Sequence, residues 1–191
     1  AIILTGIMVA VSAALTSGMA FSPQNVGSVL RQISVLAIIS VGYTIILAGG
    51  MMDLSVGNVV SLCGICYALA SKSLPLWMAL FLAVIVGVAC EFFNGAMIRV
   101  FHLPVFVLTL ASGNIFNGFA SIITDGKSVG GLNDGVTFLG QGTLLGFIPM
   151  PFFIMILALI FMAVLLGKTT YGRHVLAAGG NASAAEVSGI R

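Results

Sequence analysis

Residues 33–71 form one long apolar run with a single charge, that of Asp53. As one continuous helix the run would extend about 58 Å, against a hydrocarbon core of about 30 Å. It has to turn back, and Gly49-Gly50 is where the backbone can do so. The stretch AGGMMDLSVGNVV, 48–60, therefore sets a carboxylate beside a forced break. Hydrophobic residues make up 60% of the whole chain and charged residues 6%, with a mean hydropathy of +1.21. A soluble domain carries about a quarter charged residues, so this chain could not cover a water-facing surface. An all-α integral membrane protein is predicted, because only internally bonded backbone survives in lipid. The net charge of +2 gives no footing for nucleic acid, and the lipid bilayer is the expected surrounding.

Six apolar segments stand out, at roughly 1–21, 33–48, 55–71, 76–98, 105–123 and 152–167. They predict a polytopic helix bundle of about six spans, with a discontinuous, Gly-interrupted region near 48–57. Residues 1–21 read as a retained membrane helix, since no signal-peptide cleavage pattern follows them. The chain opens on Ala1 inside an apolar run and stops at Arg191 beyond a polar segment, so it is expected to be part of a longer polypeptide. Counted from a cytoplasmic start, 49–54, 99–104 and 168–191 lie inside with Arg99, Lys168, Arg173 and Arg191. Arg31, Lys72 and Lys127 then lie outside. The densest basic cluster follows a span directly, in the tail, and favours this orientation by the positive-inside rule. The outer segment 124–151 is too rich in glycine and polar residues for a span, and loops of that length are usually functional or partly structured.

Several polar residues lie within the apolar segments. Asp53 fits a helix N-cap ahead of DLSVGNVVSL, and equally a polar cavity at a discontinuous helix, with Ser55 and Asn58 beside it. The two readings are compatible. Glu91 and Asn94 are three apart and share a face. Gly87, Glu91 and Gly95 recur every four residues, a pattern that lets another helix approach and shelter the carboxyl. Asn114, Asn117 and Ser121 form a stripe at i, i+3 and i+7, suited to interhelical hydrogen bonds or to a water-filled path. Cys63 and Cys66 have C-x-x-C spacing but sit in an apolar helix, and Cys90 stands alone, so packing is expected. His102 and His174 are isolated, and no metal set is visible. No nucleophile–base set, phosphate loop or paired-carboxylate pattern points to a catalytic residue.

The tail KTTYGRHVLAAGGNASAAEVSGIR carries the sharpest soluble feature. A bend at Gly179-Gly180, a cap at Asn181 or Ser183, and the capping-box spacing from Ser183 to Glu186 predict a short amphipathic helix over 182–190. A helix that short needs a docking surface. The sequon Asn181-Ala182-Ser183 carries no meaning on a cytoplasmic side.

Three stretches in order, AGGMMDLSVGNV, LPVFVLTLASG and YGRHVLAAGGNASAAEVSGI, resemble signatures of the bacterial ABC-importer permeases for ribose, xylose, galactose, autoinducer-2 and related sugars. The resemblance covers essentially the whole chain. It implies the N-terminal part of one transmembrane permease domain, with spans over 1–167, a cytoplasmic coupling segment over 168–191, and further spans beyond. It also implies a multi-pass protein of the bacterial inner membrane that imports a monosaccharide or similar small polar solute. The implied partners are a second permease copy, a periplasmic sugar-binding protein and a cytoplasmic ATP-binding cassette protein. The permease itself is then not an enzyme and carries no cofactor, because ATP and Mg belong to the cassette protein. By the same resemblance Gly179, Gly180, Asn181, Ala185, Glu186 and Gly189 meet the ATPase, while Asp53, Ser55, Asn58, Asn114, Asn117 and Ser121 are candidates for the solute path. Two departures bear on the solute: Met51 and Met52 where relatives have one residue before the Asp, and Asn117 where many carry Arg before the glycine. The alternatives are an ion-coupled secondary transporter using Asp53 and Glu91, or an ABC permease for nucleosides.

Overall fold

The computed structural model describes residues 2–16, 18–144 and 148–190. Ala1 and Arg191, the latter among the basic residues assigned inside, fall outside these, as do Ser17 of the first segment and 145–147 of the outer one. Among the described residues nine α-helices follow one another: α1 (Ile2–Leu15), α2 (Pro23–Ala48), α3 (Val56–Ala70), α4 (Leu76–Phe101), α5 (Val105–Thr124), α6 (Asp134–Gln141), α7 (Met150–Lys168), α8 (Thr170–Gly180) and α9 (Ala182–Val187). A 3-10 turn, Met19–Phe21, joins α1 to α2, and a two-stranded antiparallel hairpin, β1 (Thr143–Leu144) with β2 (Ile148–Pro149), precedes α7. The fold is the expected all-α polytopic one.

Four of these helices, α2, α4, α5 and α7, are long and apolar enough to cross a membrane. The remaining two sequence segments form the shorter α1 and α3, of 14 and 15 residues. At 1.5 Å per residue these reach about 21–23 Å, short of a full hydrocarbon core. The polar stretch before residue 33 is not a loop, since α2 already begins at Pro23. Proline at the first helical position costs no hydrogen bond, and a helix can run on beyond the apolar layer. The outer segment 124–151 is partly structured, holding α6 and the hairpin.

The chain divides into two compact units, residues 1–41 with 138–161, and residues 42–137 with 162–191. In the first, Arg31 donates to the carbonyl of Gln141 at 2.9 Å, tying α2 to the end of α6. In the second, α3 packs on α4 and α5, and α4 on α5. Val59, Leu62, Cys90, Phe116 and Ala120 form the core there, with Cys63 and Cys66 packed against it. All three cysteines are free thiols, in keeping with a packing role. The other face of α4 exposes Trp77, Phe81, Val88 and Phe92, each by more than 60%, the sort of surface a bilayer covers.

The tail differs in detail from its sequence pattern. It forms two helices, with the bend at Asn181 rather than at the two glycines. Asn181 caps α9, its Oδ1 accepting from the Ala184 N–H at 3.0 Å. The capping box from Ser183 to Glu186 therefore does not form, because the cap lies two residues earlier and Glu186 falls inside the helix. Assigned helix stops at Val187 rather than 190. Gly189, at φ +81°, closes α9 with bonds from Gly189 N–H to the Glu186 carbonyl and from Ile190 N–H to the Ala185 carbonyl. That is a Schellman ending, which needs the left-handed residue glycine supplies.

Candidate functional site

The break after α2 has the stronger site geometry. Helix α2 ends at Ala48, Gly50 takes φ +76° with Met51 N–H closing back on the Ile46 carbonyl, and the chain is non-helical over 51–55 until α3 starts at Val56. A chain leaving a helix inside a membrane must find new partners for its polar groups. Asp53 supplies the first: its Oδ1 accepts from Ser55 N–H and Ser55 Oγ–H, both at 2.6 Å. Asp53 is therefore not the N-cap of α3: that position is Ser55, which makes no side-chain cap bond, and the Asp53 carboxyl closes an Asx turn just ahead of it. Thr109 of α5 supplies the second, its Oγ1 accepting from Leu54 N–H at 3.0 Å. Asn94 of α4 supplies the third, its Nδ2 donating to Ser55 Oγ at 3.0 Å and approaching Glu91 Oε2 at 3.4 Å. Asp53, Ser55, Asn94 and Thr109 are all buried.

Glu91 is half-buried and lies on the same cavity as Asp53. That cavity measures about 350 Å³, and Asn94 and Thr109 also line it, along with Gly49 and Met51 of the break and Tyr171 and Val175 of α8. Asn58, half-buried, lies on the far side of the α3 start, where α5 comes so close that a Cβ at Gly113 would stand 2.9 Å from Asn58 Nδ2 and 3.2 Å from Ser55 Cα.

The second half of the site is α8 and α9. A Cβ on Gly179 would run into the Ala48 carbonyl and stand 2.9 Å from the Gly49 carbonyl carbon. A Cβ on Gly50 would in turn stand 3.3 Å from the Gly179 oxygen. Two glycine backbones are thus pressed together, the tail against the break. Gly180 has open space around it. Beyond, α8 and α9 frame a groove of about 540 Å³ lined by Tyr171, His174, Ala182, Ala185, Glu186 and Ile190. Ala185 is buried at its floor and Glu186 exposed on its wall.

Asn114, Asn117 and Ser121 do not join this site. All three are exposed, with Asn114 Nδ2 donating to Leu110 O and Ser121 Oγ to Asn117 O within the same helix. The buried face of α5 is Thr109, Ser112, Gly113, Phe116 and Ala120. At 100° per residue the amide stripe is centred about 110° round from that face. Thr109 is the residue that sequence reasoning passed over. Its signal was the small-residue spacing Thr109, Ser112, Gly113, which permits close helix approach.

Residues 25–191 match the family described as branched-chain amino acid transport system / permease component. The chain is 36% identical over 175 residues to the ribose import permease protein RbsC of Bacillus subtilis, covering 88% of this chain and 53% of that protein. It is 33% identical to RbsC of Haemophilus influenzae, over 89% of this chain and 54% of the relative. It is also 31% identical to the autoinducer 2 import system permease protein LsrC of Photorhabdus laumondii, over 90% and 51%. The chain therefore spans about half the length of these curated relatives. No solved structure matches it. With its long apolar helices, the protein is a multi-pass protein of the inner (cytoplasmic) membrane. The helix break and the tail that closes on it lie wholly within the matched region, and the chain belongs to this family of transport-system permease components.

Proposed function

We propose that the chain is part of the membrane subunit of an ATP-driven importer that carries a monosaccharide or a similar small polar solute from periplasm to cytoplasm. The observation that carries this reading is the backbone contact between Gly179 and the Ala48–Gly50 break. Charge assigns tail and break to the same, inner side of the membrane, and their contact supports that assignment. A cytoplasmic cassette protein that grips the α8–α9 groove would act on the break through a joint with no flexible side chain in between. Two pressed backbones transmit displacement, because packed contacts have little compliance. The ATP and Mg would belong to that partner. A periplasmic binding protein would deliver the solute, and a second permease copy would complete the pathway. The ribose and autoinducer 2 permeases among the relatives support a sugar-like solute.

The groove gives the test. Glu186 is exposed on the groove wall, so Glu186→Arg should leave the full-length permease in the membrane. Co-purification of the cassette protein and solute uptake should both fall. Uptake at the parental level, with the cassette still bound, would show that the groove is not the coupling surface. Uptake should also survive an uncoupler while cellular ATP is maintained, which separates this reading from ion-coupled transport.

A further inference from the structure

Away from the break, polar side chains of α3, α5 and the loop after α5 converge on a hollow of about 220 Å³. It lies toward the ends of both helices, on the side that charge assigns as outer. Asn117 lines it two turns before α5 ends at Thr124, so the hollow reaches about 10 Å down that helix. Ser61 lines it more than two turns before α3 ends at Ala70, while Lys127 stands at the rim. Its hydrogen-bonding groups are mostly uncommitted. Ser121 and Thr124 bond back to carbonyls of their own helix, at 3.0 and 2.9 Å, and their oxygens keep lone pairs to offer. Among the described residues the side chains of Ser61, Asn117 and Lys127 make no hydrogen bond or ion pair. Polar groups two turns inside a membrane helix need a polar occupant beside them.

The lining sorts the occupants. None of its described residues carries a carboxyl, so nothing holds a cation, and one lysine at the rim is little for a phosphate. The Asn117 amide and the hydroxyls both donate and accept, which matches a neutral molecule whose own hydroxyls do the same. Ile65 and the buried Ala120 add an apolar strip suited to the C–H face of a sugar ring. The volume lies below the roughly 300 Å³ at which clefts for drug-sized ligands begin, and suits a single ring. We propose that this hollow is the first station of the solute in the membrane, and that it takes a neutral, polyhydroxylated single-ring molecule through Asn117 and Ser61, with Lys127 meeting it at the rim. The inference rests on the importer reading for the direction of travel, but not for the binding itself. Binding there is weak, since each hydrogen bond to the solute replaces one to water.

The probe is D-ribose, the sugar in the names of two relatives, added at tens of millimolar to the full-length permease in lipid nanodiscs. No binding protein or cassette protein is present, and empty nanodiscs set the baseline. Saturation-transfer NMR should pass magnetisation from the permease to the ring protons of ribose. Asn117→Leu and Ser61→Val change exposed side chains, so each should keep its melting point and cut the transfer several-fold. Transfer no greater than from empty discs overturns the proposal, as does undiminished transfer in both variants. So does loss of the periplasmic binding protein from the Asn117→Leu permease with ribose transfer intact, which would make the hollow a protein-docking surface. ATP-driven uptake, with both partner proteins restored, is read separately. Binding without uptake keeps the hollow and sinks the importer reading, whereas uptake without binding does the reverse.

Discussion

Two polar regions of this protein meet the membrane on different terms. At the break, Asp53, Ser55, Asn94 and Thr109 are buried and bonded across three segments of chain. On α5, Asn114, Asn117 and Ser121 are at least as polar, yet they are exposed and their recorded bonds stay within their own helix. Polarity does not separate the two; backbone demand does. Where the helix is interrupted, main-chain N–H groups such as that of Leu54 lose their partners, and side chains from neighbouring helices must replace them. Along an intact helix no such demand exists, so the amides remain free for another partner.

The largest effect should come from the joint that closes the break. Gly179→Ala adds one methyl group against the Ala48 carbonyl, and backbone on both sides must move. Gly180→Ala, one residue on, adds the same methyl into open space. Both changes gain helix propensity, so their difference isolates the contact. Gly179→Ala should cost above about 3 kcal/mol, beyond ordinary overpacking, while Gly180→Ala stays near neutral. Melting of the purified permease in detergent compares them directly, and equal melting points would remove the joint.

Next comes the acceptor that serves the break from α5. Thr109→Val keeps the shape and deletes the oxygen that takes the Leu54 N–H. Leaving that amide unpaired should cost about 1–3 kcal/mol. Asn181→Ala removes the α9 cap and should cost about 1 kcal/mol, confined to the tail. Faster hydrogen exchange at Ala184, with the spans unchanged, is its signature.

These contrasts also mark how far the sequence could be read. The break was legible, because a run as long as 33–71 with one charge cannot cross the hydrocarbon layer as a single helix. The tail helix was legible as well, with its cap left between Asn181 and Ser183: both satisfy the rule, the bend selects Asn181, and the capping box from Ser183 fails with it. The start of α2 was missed because hydropathy marks the part of a helix that meets lipid, and Gln24, Asn25 and Arg31 lie on turns beyond it. Thr109, Ser112 and Gly113 were overlooked since small residues bury without announcing themselves, whereas amides do. That Asp53 of the break and Glu91 of α4, far apart in the chain, line one cavity depends on tertiary packing and has no local spacing to reveal it.

The smallest stability effect should belong to the stripe itself. Asn114→Leu and Ser121→Ala delete bonds made only within α5, so each should change stability by less than about 0.5 kcal/mol. Their effect on transport should be far larger than that. Three polar side chains on one face of a membrane helix do not face lipid for long, and under the proposed function a second permease copy or the solute would meet them. If they line the path, uptake falls several-fold in the Asn114→Leu permease while its melting point and its pairing with a second copy hold. Loss of pairing instead would make the stripe a contact between copies. Either result keeps the two polar regions apart, whereas a clear drop in melting point with pairing intact would merge them.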